Sequence, residues 1–562
     1  MKFQKYLRST RVIGGLALVL TFATAAPSAR ANVYASNIKI NGGMTNISVA
    51  QGASVTISYI LNEPASSGVT IKILSGAAAV RTIRIGGESA GATRGTNTVV
   101  WNGRNDSSNN VPGGNYSVSI QAASSGYAGW TKITDDNNPG NYTWESRGIA
   151  VDRNANSPYY GRVFVGNSHF GPGSLNGDLV GIQKLNADGS AADEGGFSDG
   201  GISWRGDYYA PWKIRVSEDD YVYVEDWYDY GDIYRFDGAI SSASMLHVFA
   251  APTDGSLGNW SGFCLVGKGT NTVLWAADAN LSTSVGVSKF FVKPDGTFDA
   301  SAGSNVVAVG GSPGMDLYPF AVALDQAGTI YTVQSPSDQG NPSAWALRFP
   351  AYDPSTNGGA PELTADWVAG PGDDYCGGKG IAVNPTGTYV AACFWGYNSG
   401  EWLSGNTKIF EAATGTLVTN LDLDVSYPSG LTSNSIPPLD PAHHMDTDAD
   451  WDAVGNLYYL DNWPGCWRAF SPPGTNQATT VALSTVQVTD GSLAPARIHI
   501  TPSGGGYSIS YSGGAGAQFV LLTSPSVNAP MAGWLRVATN AAASGSFSIT
   551  PSTRAFYRVK SE

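Results

Sequence analysis

An all-β chain of three folded units (a sandwich, a ring of repeated sheets and a short terminal module) is predicted by three features of the sequence. Turn formers are abundant, with 70 Gly and 30 Pro in 562 residues, against about 12% for the two together in average usage. Between the turn clusters lie short runs rich in Val, Ile, Thr, Tyr and Trp, many alternating apolar with polar, which is the period of a half-buried strand. A strand–turn–strand pattern also recurs through the middle of the chain. With 42% hydrophobic and 11% aromatic residues, the chain can bury large cores, which excludes disorder as a global description. Long heptads and helix-forming blocks are missing, which excludes bundles and coiled coils.

The first segment reads as an address. Lys2, Lys5, Arg8 and Arg11 precede an apolar run from Val12 to Ala26, and Ala29-Arg30-Ala31 offers a cleavage site. Residues 1–31 are therefore expected to be a signal peptide, with the mature chain starting at Asn32; an uncleaved anchor helix is the competing reading. No other apolar run reaches the roughly 18 residues of a membrane span. The expected location is outside the cytoplasm, periplasmic or extracellular. The formal charge of −13 becomes about −18 once five basic residues leave with the signal. Such an acidic surface repels phosphate backbones, so nucleic acid is not an expected partner. Four cysteines, Cys264, Cys376, Cys393 and Cys466, show no C-x-x-C spacing. Cys376 and Cys393 flank one predicted hairpin and form the candidate disulfide in an oxidising compartment.

Residues 32–127 form the sandwich. Period-2 strands are expected at Val55–Tyr59, Val69–Leu74, Val80–Arg84, Asn97–Trp101 and Tyr116–Ile120, about ten residues apart. The string from Val69 through "TVVWNGRNDSSNNVPGGNYSVSIQA" resembles the Ig-like module of the flagellar hook-capping protein (FlgD-like). The resemblance implies an Ig-like β-sandwich in which Trp101 and Tyr116 serve core and turn. It implies no flagellar role, because such modules are appended to many secreted bacterial proteins.

Residues 140–488 carry the repeat. Its copies begin at Gly148-Ile149-Ala150-Val151-Asp152, Lys213–Val216, Phe263–Val266, Ala321–Asp325, Gly380–Asn384 and Asp448–Asp452, roughly 50–67 residues apart. Each is followed by a second apolar strand and then a third. One such unit cannot bury both faces, so the units must stack radially. Their length suits four-stranded blades with added loops. Six copies give a six-bladed β-propeller, with seven or eight blades as the alternative. The pattern "GIAVD…GNLYYLDN…RAF" resembles the NHL-type propellers and, more loosely, the gluconolactonase family. Residues 495–562, with runs such as Tyr507–Tyr511 and Phe519–Leu522, are expected to form a small C-terminal β-module.

In a propeller the innermost strands line the central channel, and alternate residues share a face. Aligned on the repeat, those positions are small or apolar in four blades. They are basic in the second (Lys213, Arg215) and acidic in the sixth (Asp448, Asp450, extended by Asp446). The opposed charges are expected to pair across a partly dry channel. Asp446, Asp448 and Asp450 are also the candidate metal ligands, for Ca²⁺ or another divalent cation, because D-x-D-x-D begins a calcium loop. Trp451 stands where that loop needs Gly, and Leu457 where it needs an acid, so the site would be of a looser kind. A solvated acidic edge is the competing reading.

Loops that share one propeller face are aromatic and acidic. Tyr208, Trp212, Trp227, Tyr228, Trp395, Trp463 and His444 are the candidate ligand-binding residues. Flat rings beside carboxylates suit sugars, whose C–H faces stack while their hydroxyls hydrogen-bond, and cations. The competing reading is that these rings pack loop against loop. The expectation is a secreted binding or scaffold protein that recognises a glycan, another extracellular polymer or a protein. The alternative, implied by the gluconolactonase resemblance, is a metal-dependent hydrolase or lyase holding its ion on a Glu/Asn/Asn/Asp set; Asn167, Glu225 or Asp226, Asp278 and Asp461 end second strands near the same mouth.

Overall fold

The structure is a computed structural model. It describes residues 32–561 apart from 170–178, 252–259, 335–345, 371–375, 422–444, 475–478, 490–496, 513–517, 551–554 and gaps of one to three residues. The expected signal segment 1–31 lies outside the described residues, as do Tyr208, Trp463 and His444. The chain is all-β, with only three short 3₁₀ turns among the described residues.

The N-terminal sandwich packs a three-stranded sheet, Ala35–Ile40, Val55–Leu61 and Gly95–Trp101, on a five-stranded one. The second sheet orders Ile47–Ala50, Thr479–Thr489, Gly114–Ala123, Gly68–Ser75 and Ala78–Ile85. Alternation decides which side faces in: Ile57, Tyr59, Ile71, Ile73, Val118 and Ile120 share one core with Trp101. Trp101 donates its indole N–H to the Arg104 carbonyl at 2.8 Å, and Tyr116 donates its hydroxyl to the Pro112 carbonyl at 2.7 Å. Gly103 has φ +69°, and a Cβ there would lie 2.7 Å from the Ala53 carbonyl oxygen, so the turn after Trp101 needs glycine.

One strand of that sheet corrects the expected division of the chain. Thr479–Thr489, placed by sequence at the end of the propeller, pairs antiparallel with Gly114–Ala123 and parallel with Ile47–Ala50. Val486 and Val488 enter the sandwich core. Its apolar–polar alternation suits either unit, and only the topology assigns it.

Six sheets follow. Their inner strands are Ile149–Val151, Ile214–Val216, Trp260–Val266, Pro319–Leu324, Cys376–Val383 and Asp446–Trp451. Blades one to five run outward through antiparallel neighbours in chain order. Blade six runs Asp446–Trp451, Leu457–Asp461, Cys466–Ser471, and takes its outer strand, Thr131–Lys132, from the segment before blade one. Each inner strand packs on the next, and blade six packs on blade one, which closes the circle. Close approach at these seams uses glycine. A Cβ on Gly148 would lie 2.2 Å from the Trp212 carbonyl oxygen, one on Gly262 2.6 Å from that of Phe320, and one on Gly380 2.6 Å from Cα of Asp448. Gly148 and Gly380 therefore face the neighbouring inner strand and not an open channel.

The repeat's terminal Asp or Asn has a local task. Asp152, Asp325, Asn384 and Asp452 each accept backbone N–H groups of the turn to the second strand, as from Asn154, Ala327, Thr388 and Val454. Those of Asp152, Asp325 and Asp452 are Asx turns, and Asn384 caps its turn from four and five residues on; both fix the hairpin after the inner strand. The C-terminal module stacks two three-stranded sheets over Ile509, Tyr511, Phe519, Leu521 and Phe547.

Cys393 is a free, buried thiol, so the expected bond to Cys376 is not formed. The hairpin register explains this. Cys393 lies opposite Gly380, and Cys376 lies opposite Gly396, so the two cysteines sit at different rungs.

Candidate functional site

The inner strands all run the same way along the axis, so their N-terminal ends and the ends of the second strands meet at one mouth of the channel. The residue just before the aligned repeat lies at that mouth in every blade: Arg147, Trp212, Gly262, Phe320, Lys379 and Thr447. Trp227, just past the second strand of blade two, and Trp395, on that of blade five, join them. Trp212 and Trp227 lie 4.5 Å apart between ring centroids, and Phe320 lies 6.1 and 5.6 Å from them. Tyr209 meets Trp227 edge-on at 5.4 Å.

Two cations sit among the rings. The Arg147 guanidinium lies 5.4 Å from the Trp212 centroid and 4.9 Å from that of Trp395. The Lys379 ammonium lies 3.9 Å from Phe320 and 5.1 Å from Trp395. Arg147 also pairs with Glu145 at 3.2 Å. Cation–π attraction of this kind is strongest where water is displaced. Tyr228 lies farther out and exposed, with the Arg205 guanidinium 3.5 Å from its ring. Of the seven candidate ligand-binding residues, the structure thus gathers Trp212, Trp227 and Trp395, places Tyr228 on the same blade's outer loop, and leaves Tyr208, Trp463 and His444 outside the described residues. Arg147, Phe320 and Lys379 were missed by the aromatic-loop reading. Their signal was the repeat register, one residue ahead of each "GIAV"-like run.

Below the rim the opposed charges meet, as their signs require. Arg215 grips Asp448 with both guanidinium nitrogens, at 2.7 and 3.0 Å, and Lys213 approaches the same carboxylate at 3.5 Å. Lys213 also donates to the Thr447 and Arg147 carbonyls. Burial pushes the Lys213 ammonium below its ordinary pKa, and Asp448 opposes that shift. The aspartates do a second job. The inner strand of blade one has no backbone partner on its axial edge; Asp448 accepts its Ile149 N–H at 3.1 Å and Asp450 its Val151 N–H at 2.9 Å. Carboxylates thereby stand in for the acceptors of a missing strand.

This geometry bears on the metal reading. Asp448 is neutralised by Arg215 and Lys213, Asp450 pairs with Arg153, and Asp446 accepts from the Thr407 hydroxyl at 2.5 Å. Among the described residues no group of three His, Cys, Asp or Glu side chains could hold a metal ion. At Asp448 and Asp450, fixed guanidinium and ammonium groups supply the positive charge a metal would bring, whereas Asp446 is met by a hydroxyl. The alternative ligand set is likewise engaged at four positions, while the carboxylate oxygens of fully buried Glu225 accept no hydrogen bond among the described residues. Asn167 donates to the Leu179 carbonyl at 2.6 Å, Asp226 accepts from Asp229 N–H, Asp278 from Asn280 and Val285 N–H, and Asp461 is gripped by Arg468 at 2.8 Å. Burial raises Asp226 and Asp278 to about 6 and Glu225 well above the carboxylate range, with Lys213 opposing.

Comparison with known proteins finds the FlgD Ig-like domain family similar to residues 44–126. No curated protein matches the chain. Among solved structures, similarity is found to the β-propeller domain of Cps50 (Swd1) from Myceliophteria thermophila, at 8% identity over 63% of this chain and 92% of that one, TM-score 0.32. A Family AA12 carbohydrate-active enzyme of Trichoderma reesei gives 12% over 62% and 96%, TM-score 0.37. The Bacteroides ovatus protein GH43B of a xyloglucan locus gives 14% over 55% and 71%, TM-score 0.27.

Proposed function

We propose that the chain is an exported multidomain binding protein of the NHL-type propeller kind, whose rim recognises a glycan or another extracellular polymer or protein. The observation that carries this reading is the grouping of Trp212, Trp227, Trp395 and Phe320 with Arg147 and Lys379 at one mouth of the channel. Rings offer faces to sugar C–H groups, and the planar guanidinium and the ammonium offer donors to hydroxyls. Trp395 holds Arg147 and Lys379 against its ring and so positions the donors, while Trp227 and the exposed rings of Tyr209 and Tyr228 add stacking faces. Export rests on the basic start, the apolar run and the Ala29-Arg30-Ala31 site.

The test is retention on a glycan array. Wild-type protein is expected to bind, and Trp227→Ala and Trp395→Ala are each expected to weaken binding about tenfold or more, the scale of a central aromatic anchor. Absence of retention, or retention unchanged in both variants, rejects the rim as the recognition surface. Metal analysis with thermal melts in the presence and absence of EDTA separates the hydrolase reading: a stoichiometric ion and a large shift would replace binding by metal-dependent catalysis.

A further inference from the structure

The opposite mouth of the propeller holds a recess of about 440 Å³ on the axis, built by the ends of all six inner strands and the turns that follow them. Its volume falls in the range of small-molecule sites. We propose that this funnel is a second binding site, for a neutral, hydroxyl-rich small molecule with one apolar face, a free monosaccharide being the fitting chemistry. The proposal does not rest on the rim reading, since the two mouths share no residue.

The walls argue for that class. Blades three to five contribute an aliphatic side, including Leu265, Ala323 and Ile381. Blades one, two and six contribute a charged side whose inner ions are already balanced, while Glu218 and Asp325 stand at the lip and accept from the N–H groups of Gly267 and of Ala327 and Thr329. Arg215 is held bidentately by Asp448, and Asp450 accepts from Val151 and Trp451 N–H groups besides pairing with Arg153. An ionic ligand would bring an uncompensated charge against the inner, balanced pairs of this partly dry wall, which is costly. A hydroxyl group both donates and accepts, so it can join such a network without adding charge. Arg153 is the adaptable member. Its side chain is 44% exposed whereas that of Asp450 is 5% exposed, so its outer N–H groups are open to a ligand. Gln326, exposed at the lip, donates its amide N–H to the Pro385 carbonyl at 3.1 Å and presents its carbonyl oxygen as an acceptor. A ring with an axial C–H face and a hydroxylated edge matches one aliphatic wall and one wall of planar polar groups.

The experiment is calorimetric titration and thermal melting of the full chain with glucose, galactose, mannose and xylose, beside glucuronate and glucosamine at equal concentration. At least one neutral sugar is expected to bind and raise the melting temperature, with the charged sugars weaker. Arg153→Ala and Gln326→Ala, both at exposed side chains, are each expected to weaken that binding about tenfold, and Trp227→Ala is expected to leave it unchanged. Ala323→Leu, which narrows the funnel, is expected to abolish it. Binding of none of the neutral sugars, tighter binding of a charged sugar, or loss in Trp227→Ala without loss in Arg153→Ala overturns the proposal. Because the glycan-array result depends on Trp227 and Trp395, failure at one mouth is distinguishable from failure at the other.

Discussion

Asp448 stands where three blades meet, and its substitution tests the charge staple directly. It holds Arg215 and Lys213 and caps the Ile149 N–H, all out of water. Asp448→Ala leaves two buried cations unpaired, and a loss of about 3–5 kcal/mol is expected, the cost of breaking a buried pair from one side; denaturant unfolding reads it. Asp152 gives a pH-dependent counterpart. Burial first, and Asp220 second, raise its carboxyl to about 7. In the unfolded chain an aspartate ionises near 4. Between those values the unfolded state releases a proton the folded state keeps, so this group's stabilisation is full below about 4 and is lost as pH rises to about 7. Asn at this position keeps the acceptor for Asn154 N–H and can donate to Ser157, its present hydroxyl partner. Asp152→Asn is therefore expected to flatten the stability profile in that window by up to about 1.4 kcal/mol per pH unit, measured by melts from pH 4 to 8. An unchanged slope would show that the carboxyl is ionised in the fold.

At the scale of elements, two strands make the connections that chain order does not. Thr131–Lys132 finishes blade six, and Thr479–Thr489 returns after the propeller to the middle of a sandwich sheet. The second predicts a truncation phenotype. A chain ending at Gly474 lacks that strand and leaves its two ladder partners, Ile47–Ala50 and Gly114–Ala123, as open edges. Limited proteolysis is expected to cut within residues 32–127 in the truncated chain and to spare that region in the full one. Val486→Ala, a core truncation in the same strand, is expected to cost about 2–3 kcal/mol. If the truncated sandwich resists protease, the strand is an accessory and the resemblance-based boundary at residue 127 is sufficient. Alternation in the sequence was enough to mark such strands as strands. It was not enough to assign them, since a period of two says which residues share a face and is silent on which sheet covers it.

On the whole molecule, the ring converts distant segments into two mouths with different chemistry. One gathers indoles with Arg147 and Lys379; the other is an open funnel with an aliphatic side. The sandwich docks beside the funnel mouth, where fully buried Tyr34 packs on Tyr160 of blade one and approaches the Tyr458 hydroxyl at 3.4 Å. Ligand effects at the funnel are therefore expected to register in the melting of the sandwich as well, whereas rim variants lie at the far end of the channel. The sequence by itself determined the all-β class, the repeat that builds six sheets, and the pairing of a basic inner strand with an acidic one, because composition, period and charge sign are local quantities that survive without coordinates. Tertiary structure alone decided that Asp448 and Asp450 pair with Arg215, Lys213 and Arg153, that Cys393 stays a thiol, that Thr479–Thr489 belongs to the sandwich, and that Arg147, Phe320 and Lys379 share a rim with Trp227 and Trp395. Each of these depends on which strand edges and which side chains come within bonding distance across the ring, and that distance is set by closure of the whole circle, not by any stretch of chain within it.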